Sequence, residues 1–211
     1  MEQQQLKQLA KGHGSVILRI QNQERVLKAS KNKIAQGKKN KPNQVLHSKF
    51  CEVLHREYRL ASHLPQHDNL VKYYSFAQER EVLDGNYCAI ELELIYGDMH
   101  ERFVKQGGVG EAKLLESQFL KISEGLAHIH ASGMAHNDIK PENIFIGKEN
   151  QPKIGDFGCA RIVRKADQEY LAEMREEWLK RNLVYAAPEI HDLISAQSMG
   201  GCANDRLDGQ G

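Results

Sequence analysis

The sequence predicts an α+β fold in which a β-rich part comes first and a helical part follows. Residues 6–30 alternate apolar and polar side chains and are interrupted by glycine, which is typical of short strands separated by turns. Residues 45–64 and 111–131 repeat apolar side chains every three or four positions, which is typical of amphipathic helices. Because the strand signals precede the longer helix, we expect the two kinds of structure to lie in separate lobes.

Size and charge exclude several classes of protein. The 211 residues correspond to one domain or to one two-lobed domain. A formal net charge of +1 produces no strong field, so we expect neither nucleic acid nor a membrane as partner. No apolar run has the length of a signal peptide or of a membrane span. We therefore expect a soluble protein of the cytoplasm or nucleus.

The four cysteines, Cys51, Cys88, Cys159 and Cys202, are scattered along the chain without metal-ligand spacing. Reduced thiols are the usual state of such cysteines in the cytoplasm or nucleus. We therefore expect all four to be reduced.

The strands within residues 6–30 are assigned from a period of two. Val16, Leu18 and Ile20 share one face, and Val26 and Lys28 share a face of the next strand. We expect a strand, a turn and two further strands in this region.

The first predicted helix carries an acid on its apolar face. Its stripe has spacings of one, three, four and six, and consists of Phe50, Val53, Leu54, Leu60 and Leu64. Glu57 lies in the middle of that stripe. A carboxylate on a buried face is costly unless a cation meets it, so Glu57 is expected to have a cationic partner.

The second part of the chain begins after two further strand-like runs, at about 71–76 and 87–94. The segment from Leu94 to Met99 is expected to connect the two lobes. The apolar stripe of the second helix consists of Leu115, Phe119, Ile122, Leu126 and Ile129, and Gly133 is well placed to end the helix.

Two polar segments after the second helix bring together groups suited to phosphate chemistry. The first is HNDIKPEN at residues 136–143, and the second is DFG at residues 156–158. Asp156 and Asn143 offer the hard oxygen ligands that magnesium prefers. Lys140 offers a cation for a phosphate, and Asp138 is left to orient a hydroxyl group.

These segments also carry a specific resemblance. HNDIKPEN, KIGDFG and YAAPE, in this order and at these intervals, resemble the catalytic loop, the DFG motif and the APE motif of the eukaryotic protein kinase family. The resemblance extends over about residues 6–190. It implies a small N-lobe with one helix at 1–94, an incomplete helical C-lobe at 95–190 and an irregular tail at 191–211.

The resemblance implies a phosphoryl-transfer mechanism that uses ATP and Mg²⁺. Asp156 and Asn143 are expected to hold the metal, and Asp138 to position the acceptor hydroxyl group and take its proton. Lys140 is expected to neutralise the γ-phosphoryl oxygens. A lysine two positions after Asp138 resembles the serine/threonine-directed branch, so the expected substrates are protein serine and threonine hydroxyls.

The resemblance also implies a nucleotide site in the first lobe. Lys28 is expected to hold the α- and β-phosphates while paired with Glu57. A glycine-rich phosphate loop is expected at Ala10, Gly12, Gly14 and Val16, although Ala10 replaces a glycine and the loop is one residue short. Taken alone, this segment predicts an ordinary hairpin.

The adenine-binding hinge has two alternative registers. Glu93 is preferred as the hinge residue, because Gly97 then falls near the expected start of the next helix. Glu91 remains the alternative.

Several departures from the family pattern leave a second function open. Asn137 replaces the arginine that precedes the catalytic aspartate, and residues 159–186 contain neither serine nor threonine. Activity is therefore expected not to depend on phosphorylation of serine or threonine in that segment.

After Glu189 no apolar stripe predicts the helix that supports the catalytic loop, so we expect a C-terminally truncated domain whose exposed apolar face binds a partner chain. The alternative function is a pseudokinase, scaffold or inactive fragment that binds ATP or a partner without turnover.

Overall fold

The computed structural model describes residues 6–11, 15–30, 49–82, 85–105, 112–163, 184–186, 188 and 191. The chain divides into two compact units, Met1–Ile162 and Val163–Gly211. All the strands and helices named below belong to the first unit. In the second unit, the side chains of Val184 and Tyr185 are exposed. The predicted lobe boundaries at 94 and 190 stay predictions.

A five-stranded antiparallel sheet forms the first part of the chain, in the order β1-β2-β3-β5-β4. Its strands are β1 (Leu6–Lys11), β2 (Ser15–Ile20), β3 (Arg25–Ser30), β4 (Tyr73–Val82) and β5 (Gly85–Glu93). The three strands predicted within residues 6–30 are therefore confirmed. The alternation of side chains divides the sheet residues between two apolar clusters, one of which includes Val26, Ile90 and Leu92 beneath α1 (Lys49–His63).

The buried face of α1 is rotated relative to the predicted stripe. Leu54 and Leu64 are buried as expected, but Phe50 and Val53 are 36% and 47% exposed. Cys51 takes their place, because its bond to β5 turns this side of the helix toward the sheet. The prediction was therefore wrong for Phe50 and Val53.

Cys51 of α1 and Cys88 of β5 form a disulfide with a Cα–Cα distance of 5.4 Å. The expectation that all cysteines are reduced was wrong for this pair, since spacing along the chain carries no information about which side chains meet in the fold. Cys159 keeps its thiol, and Cys202 lies outside the described residues.

The helical part is built on α2 (Ala112–Ala131). Ile129 is fully buried and Gly133 ends the helix with a φ of +71°, as the glycine signal predicts. Phe119 was predicted on the buried face but is 61% exposed, because the packed side of α2 passes through Gln118 and Gly125 instead. A Cβ at Gly125 would lie 3.1 Å from the carbonyl oxygen of Asn69, so glycine permits this close approach. The side chain of Leu115 lies outside the described part.

Short elements follow α2 and carry the polar segments. They are β6 (Met134–Ala135) paired with β9 (Arg161–Ile162), β7 (Ile144–Ile146) paired with β8 (Pro152–Ile154), and 3-10 turns at Pro141–Asn143, Lys148–Asn150 and Phe157–Cys159. A π-helical segment, His100–Lys105, lies between β5 and α2. The order of a β sheet followed by a helical part confirms the predicted α+β class. Within the described ranges, no helix is both long enough and apolar enough to cross a membrane.

Candidate active site

Lys28 lies between two carboxylates from distant parts of the chain. Its Nζ atom is 2.9 and 2.8 Å from the two carboxylate oxygens of Glu57, and 3.0 Å from Oδ1 of Asp156. β3 presents the lysine, α1 presents Glu57, and the turn after β8 presents Asp156. The acid on the buried face of α1 therefore meets a cation, as its position in the apolar stripe predicts.

Burial and charge act in opposite directions on this triad. Burial would lower the pKa of Lys28, but Glu57 and Asp156 together raise it above its ordinary value. Partial burial would raise the pKa of Asp156, but attraction to Lys28 holds it below its ordinary value. Burial raises the pKa of Glu57 even beside Lys28. The lysine is therefore firmly charged at neutral pH.

Tyr73 is a member of the site that the sequence pattern did not indicate. Its hydroxyl group donates a 2.9 Å hydrogen bond to Oε1 of Glu57. Its ring packs edge-on against Phe157, with a centroid distance of 5.9 Å. A tyrosine in a strand carries no signal of such a role, since only the tertiary packing of β4 against α1 brings the two groups together.

Asp138, Lys140 and Asn143 form a second polar cluster. Lys140 Nζ lies 2.8 Å from Oδ2 of Asp138, and Nδ2 of Asn143 donates to the same oxygen at 2.8 Å. Nδ2 of Asn143 also donates to the carbonyl oxygen of Asp138 at 2.8 Å. Since both neighbours engage Oδ2, Oδ1 is the carboxylate oxygen left to accept a proton from another group.

Main-chain contacts join the two clusters. The N–H of Gly155 donates to the carbonyl oxygen of Asn143 at 3.1 Å, one position before Asp156. A Cβ at Gly155 would lie 2.7 Å from Val71 and 2.9 Å from Phe145, so only glycine fits here. Asp156 has a φ of 62°, which directs the chain into the turn that follows. The Lys28 triad and the Asp138 cluster therefore belong to one site.

His136 is buried, and its ring connects the main chain of Asp138 to that of Gly155. Its Nδ1 atom accepts from the N–H of Asp138 at 3.3 Å, so a neutral ring carries its proton on Nε2. Nε2 then donates to the carbonyl oxygen of Gly155 at 3.0 Å. Burial lowers the pKa of His136, which favours this neutral form.

The donor set fits a magnesium ion that is shared with a phosphate. Asp156 has a side chain 41% exposed, so its carboxylate can meet an incoming cation. The amide nitrogen of Asn143 is engaged with Asp138, so its oxygen is the atom available to a metal. Among the described residues, no group of three or more His, Cys, Asp or Glu side chains could hold a metal. Magnesium bound here would therefore rely on phosphate and water oxygens, as it commonly does.

Both hinge alternatives, Glu91 and Glu93, lie in the last residues of β5. Lys28 pairs with Ile90 across the sheet, so Glu91 points to the opposite face, where it pairs with Arg25 and Arg80. Glu93 lies at the end of the strand. Glu93 has the same side-chain parity as Glu91, so the register does not separate the two alternatives, and the hinge assignment stays a prediction.

The side chain of Glu93 is held in place by two donors. Its Oε1 atom accepts from the N–H of Lys72 at 2.6 Å and lies 3.1 Å from Nζ of Lys153. Lys153 is 7% exposed and also donates to the carbonyl oxygens of Asp68 and Leu70. The sequence pattern did not indicate Lys153, because a lysine in a short strand is usually solvated.

The predicted phosphate loop is described only at its edges. Ala10 lies in β1, and Val16 lies in β2 opposite Ala29 of β3. Gly12 and Gly14 lie outside the described residues. Phosphate binding by this loop stays a prediction.

Comparison with known proteins identifies the family. A family model of the protein kinase domain matches residues 4–203, and the chain therefore belongs to the protein kinase family. The predicted resemblance and the kinase-like α+β fold class are both confirmed.

Individual relatives are kinases of several kinds. The MAP kinase kinase kinase win1 of Schizosaccharomyces pombe is 32% identical over 126 residues, which cover 58% of this chain and 8% of the relative. Mitogen-activated protein kinase 4 of Homo sapiens is 33% identical over 158 residues, covering 70% of this chain and 26% of that protein. The serine/threonine-protein kinase Nek5 of Mus musculus is 40% identical over 103 residues, covering 46% of this chain and 15% of that protein. The chain spans between 8% and 26% of the length of these relatives. One of these three relatives, Nek5, is named as a serine/threonine-protein kinase.

Proposed function

We propose that this chain transfers the γ-phosphoryl group of Mg-ATP to serine and threonine hydroxyls of protein substrates. The observation that carries the proposal is the single site in which the Lys28–Glu57–Asp156 triad is joined to the Asp138 cluster through Gly155. The site contains a firmly charged lysine, oxygen ligands for a metal and a carboxylate oxygen that can accept a proton. These are the groups that phosphoryl transfer requires.

In this proposal each side chain has one task. Lys28 binds the α- and β-phosphates, and Glu57 and Tyr73 hold it in position. Asp156 and Asn143 would hold Mg²⁺, which when bound neutralises charge on the phosphate oxygens. Catalysis would come from positioning and from electrostatic stabilisation rather than from covalent chemistry.

The geometry of Asp138 supports its role as the group that orients the acceptor. Lys140 and Asn143 engage Oδ2, so the carboxylate cannot rotate without breaking both contacts. Oδ1 is then fixed as the acceptor for the substrate hydroxyl proton. Lys140 is itself 34% exposed, which allows it to meet a γ-phosphoryl oxygen.

Asn137 supports activity that is independent of phosphorylation. Its side chain donates to the carbonyl oxygen of Cys159 at 3.4 Å, and an asparagine presents no cation to a phosphate. We propose that serine or threonine phosphorylation of residues 159–186 is not required, as that segment contains neither residue. Phosphatase treatment that abolishes activity, with a phosphosite mapped inside the segment, would refute this part.

Incorporation of labelled phosphate from Mg-ATP into a generic basic protein substrate tests the main proposal. Asp138→Asn should abolish incorporation, while Asp68→Asn, a matched change at an exposed acid, should leave it intact. Equal incorporation by wild type and Asp138→Asn would overturn the proposal. A thermal shift with Mg-ATP but no turnover would favour the alternative, a pseudokinase or scaffold that binds nucleotide.

The same proposal includes a partner and a location. Phe119 and Leu120 of α2 are each 61% exposed, and exposed apolar pairs of this kind favour a partner chain that covers them. We place the protein in the cytoplasm or nucleus. The Cys51–Cys88 disulfide is compatible with this location, since disulfides in reducing compartments are usually transient or redox-sensing.

A further inference from the structure

The Cys51–Cys88 disulfide joins α1, which carries Glu57, to β5, the neighbour of the strand that carries Lys28. Cys51 precedes Glu57 by six positions in α1, which corresponds to about 9 Å along the helix axis. Cys88 lies in β5 two positions before Ile90, the cross-strand partner of Lys28. The covalent link therefore lies on the helix that carries Glu57 and on the strand next to the one that carries Lys28.

We propose that this disulfide is a redox-dependent positioning device for Glu57. When closed, it holds α1 against the sheet, so that Glu57 contacts Lys28. When a dithiol opens it, α1 gains freedom to move away from the sheet, and nucleotide binding weakens. The effect on nucleotide rests on the proposed function, but the effect on α1 does not.

The inward position of α1 is one that needs a restraint. Glu57 is 1% exposed, and its carboxylate has lost its water in exchange for Lys28 and Tyr73. Outward movement of the helix would return this charge to water, so hydration of Glu57 opposes the inward position. The apolar contacts of Leu54 and the disulfide act in the opposite direction. Removal of the disulfide therefore shifts the balance toward the outward position.

Both redox states can be accommodated at this point in the fold. Cys51 and Cys88 are 3% and 1% exposed, and a cavity of about 560 Å³ that Cys51 lines with Glu52, His55, Phe76 and Gln78 is the route by which a small dithiol would reach the bond. Sγ of Cys88 lies 3.2 Å from the carbonyl oxygen of Gln78, so the reduced thiol has an acceptor in place. The reaction is a thiol–disulfide exchange in which the dithiol gives two electrons and two protons. Cys51 and Cys88 become thiols, and the dithiol becomes a cyclic disulfide.

The test compares the oxidised protein with the same protein after dithiothreitol treatment. Reduction should weaken Mg-ATP binding, measured by calorimetry, by about tenfold, within the usual range of coupling between linked sites. Hydrogen exchange of the α1 amides should become faster. The Cys51→Ala/Cys88→Ala variant should behave like the reduced protein and should not respond to dithiothreitol.

Glu57→Gln distinguishes positioning from general stabilisation. In this variant affinity should be low in both redox states, because the disulfide acts through Glu57. Equal wild-type affinities in the two states, or the same response to reduction in Glu57→Gln, would overturn the inference. If neither redox state binds nucleotide, the proposed function fails. The hydrogen exchange of the α1 amides then tests the inference by itself. Amide hydrogen exchange in α1 that is identical in the two redox states would then overturn the inference.

Discussion

Asn143 donates two hydrogen bonds from one amide nitrogen to Asp138, one to its carbonyl oxygen and one to its carboxylate, each 2.8 Å long. The residue is 4% exposed, so both bonds are shielded from water. The amide therefore fixes both the main chain and the side chain of Asp138. The same contacts leave its own oxygen available for the proposed metal.

Replacement of Asn143 by leucine should affect both stability and activity. The carbonyl oxygen of Asp138 would lose its donor from the buried Asn143, at a cost of about 1–3 kcal/mol in the free energy of unfolding. Phosphate incorporation should fall to background, because the acceptor and the metal site are disturbed together. Urea unfolding and a kinase assay measure the two effects, and Glu116→Gln on the exposed face of α2 is the control. Activity near that of wild type in Asn143→Leu would contradict the assigned role.

The Lys28–Glu57 pair should show strong coupling in a double-mutant cycle. Lys28→Met leaves Glu57 buried without its cation, and we expect a loss of about 3 kcal/mol in the free energy of unfolding. Lys28→Met/Glu57→Leu should recover much of this loss, because no unpaired charge remains on α1. Nucleotide affinity should stay low in both variants. Unfolding free energies that add independently, or full ATP affinity in Lys28→Met, would be inconsistent with the ion pair described.

Lys153 should be among the residues most sensitive to substitution outside the active site. Lys153→Met leaves the carboxylate of Glu93 and two carbonyl oxygens without this donor, and we expect a loss of about 2–4 kcal/mol. Lys148→Met is the matched control, since Lys148 is 70% exposed and 3.7 Å from an exposed Glu24. The control should change the free energy of unfolding by less than about 0.5 kcal/mol. Denaturant midpoints that match in the two variants would show that the buried contacts contribute little.

His136 should make the fold sensitive to mild acid. Burial holds its pKa in the folded state below the ordinary value of 6.5, so the unfolded chain binds the proton more readily. The contribution of the neutral ring is therefore complete above pH 6.5 and is lost as the pH falls toward the lower folded pKa. Urea midpoints measured across this window should fall less steeply in His136→Gln than in wild type. A ring that titrates at or above 6.5 by NMR would contradict the prediction.

The sequence predicted the part of the site in which a charged side chain occupies a position expected to be buried. Glu57 was recognisable because a carboxylate in an apolar stripe needs a cation, and α1 does place it beside Lys28. The rotation of α1 was not recognisable, because Phe50 and Cys51 are both compatible with a buried helix face. The choice between them depends on the bond to Cys88, which lies 37 positions away.

Contacts made by ordinary residues at long range were also beyond prediction. Tyr73 and Lys153 lie in strands where side chains of their kind are often exposed, and neither belongs to a motif. Their roles arise from the packing of β4 against α1 and of β8 against the loop before β4. The local pattern of apolar residues indicates which face of a helix or strand is buried. It does not indicate which polar group from elsewhere in the chain a side chain on that face will contact.

The ring closed by Cys51 and Cys88 contains most of α1, all of β4 and the turn between them. A protease that cuts once inside this ring produces two polypeptides that remain covalently attached. The nicked protein would therefore migrate at full mass on a non-reducing gel and as two fragments on a reducing one. Limited digestion thus offers a direct count of how many molecules in a preparation carry the bond.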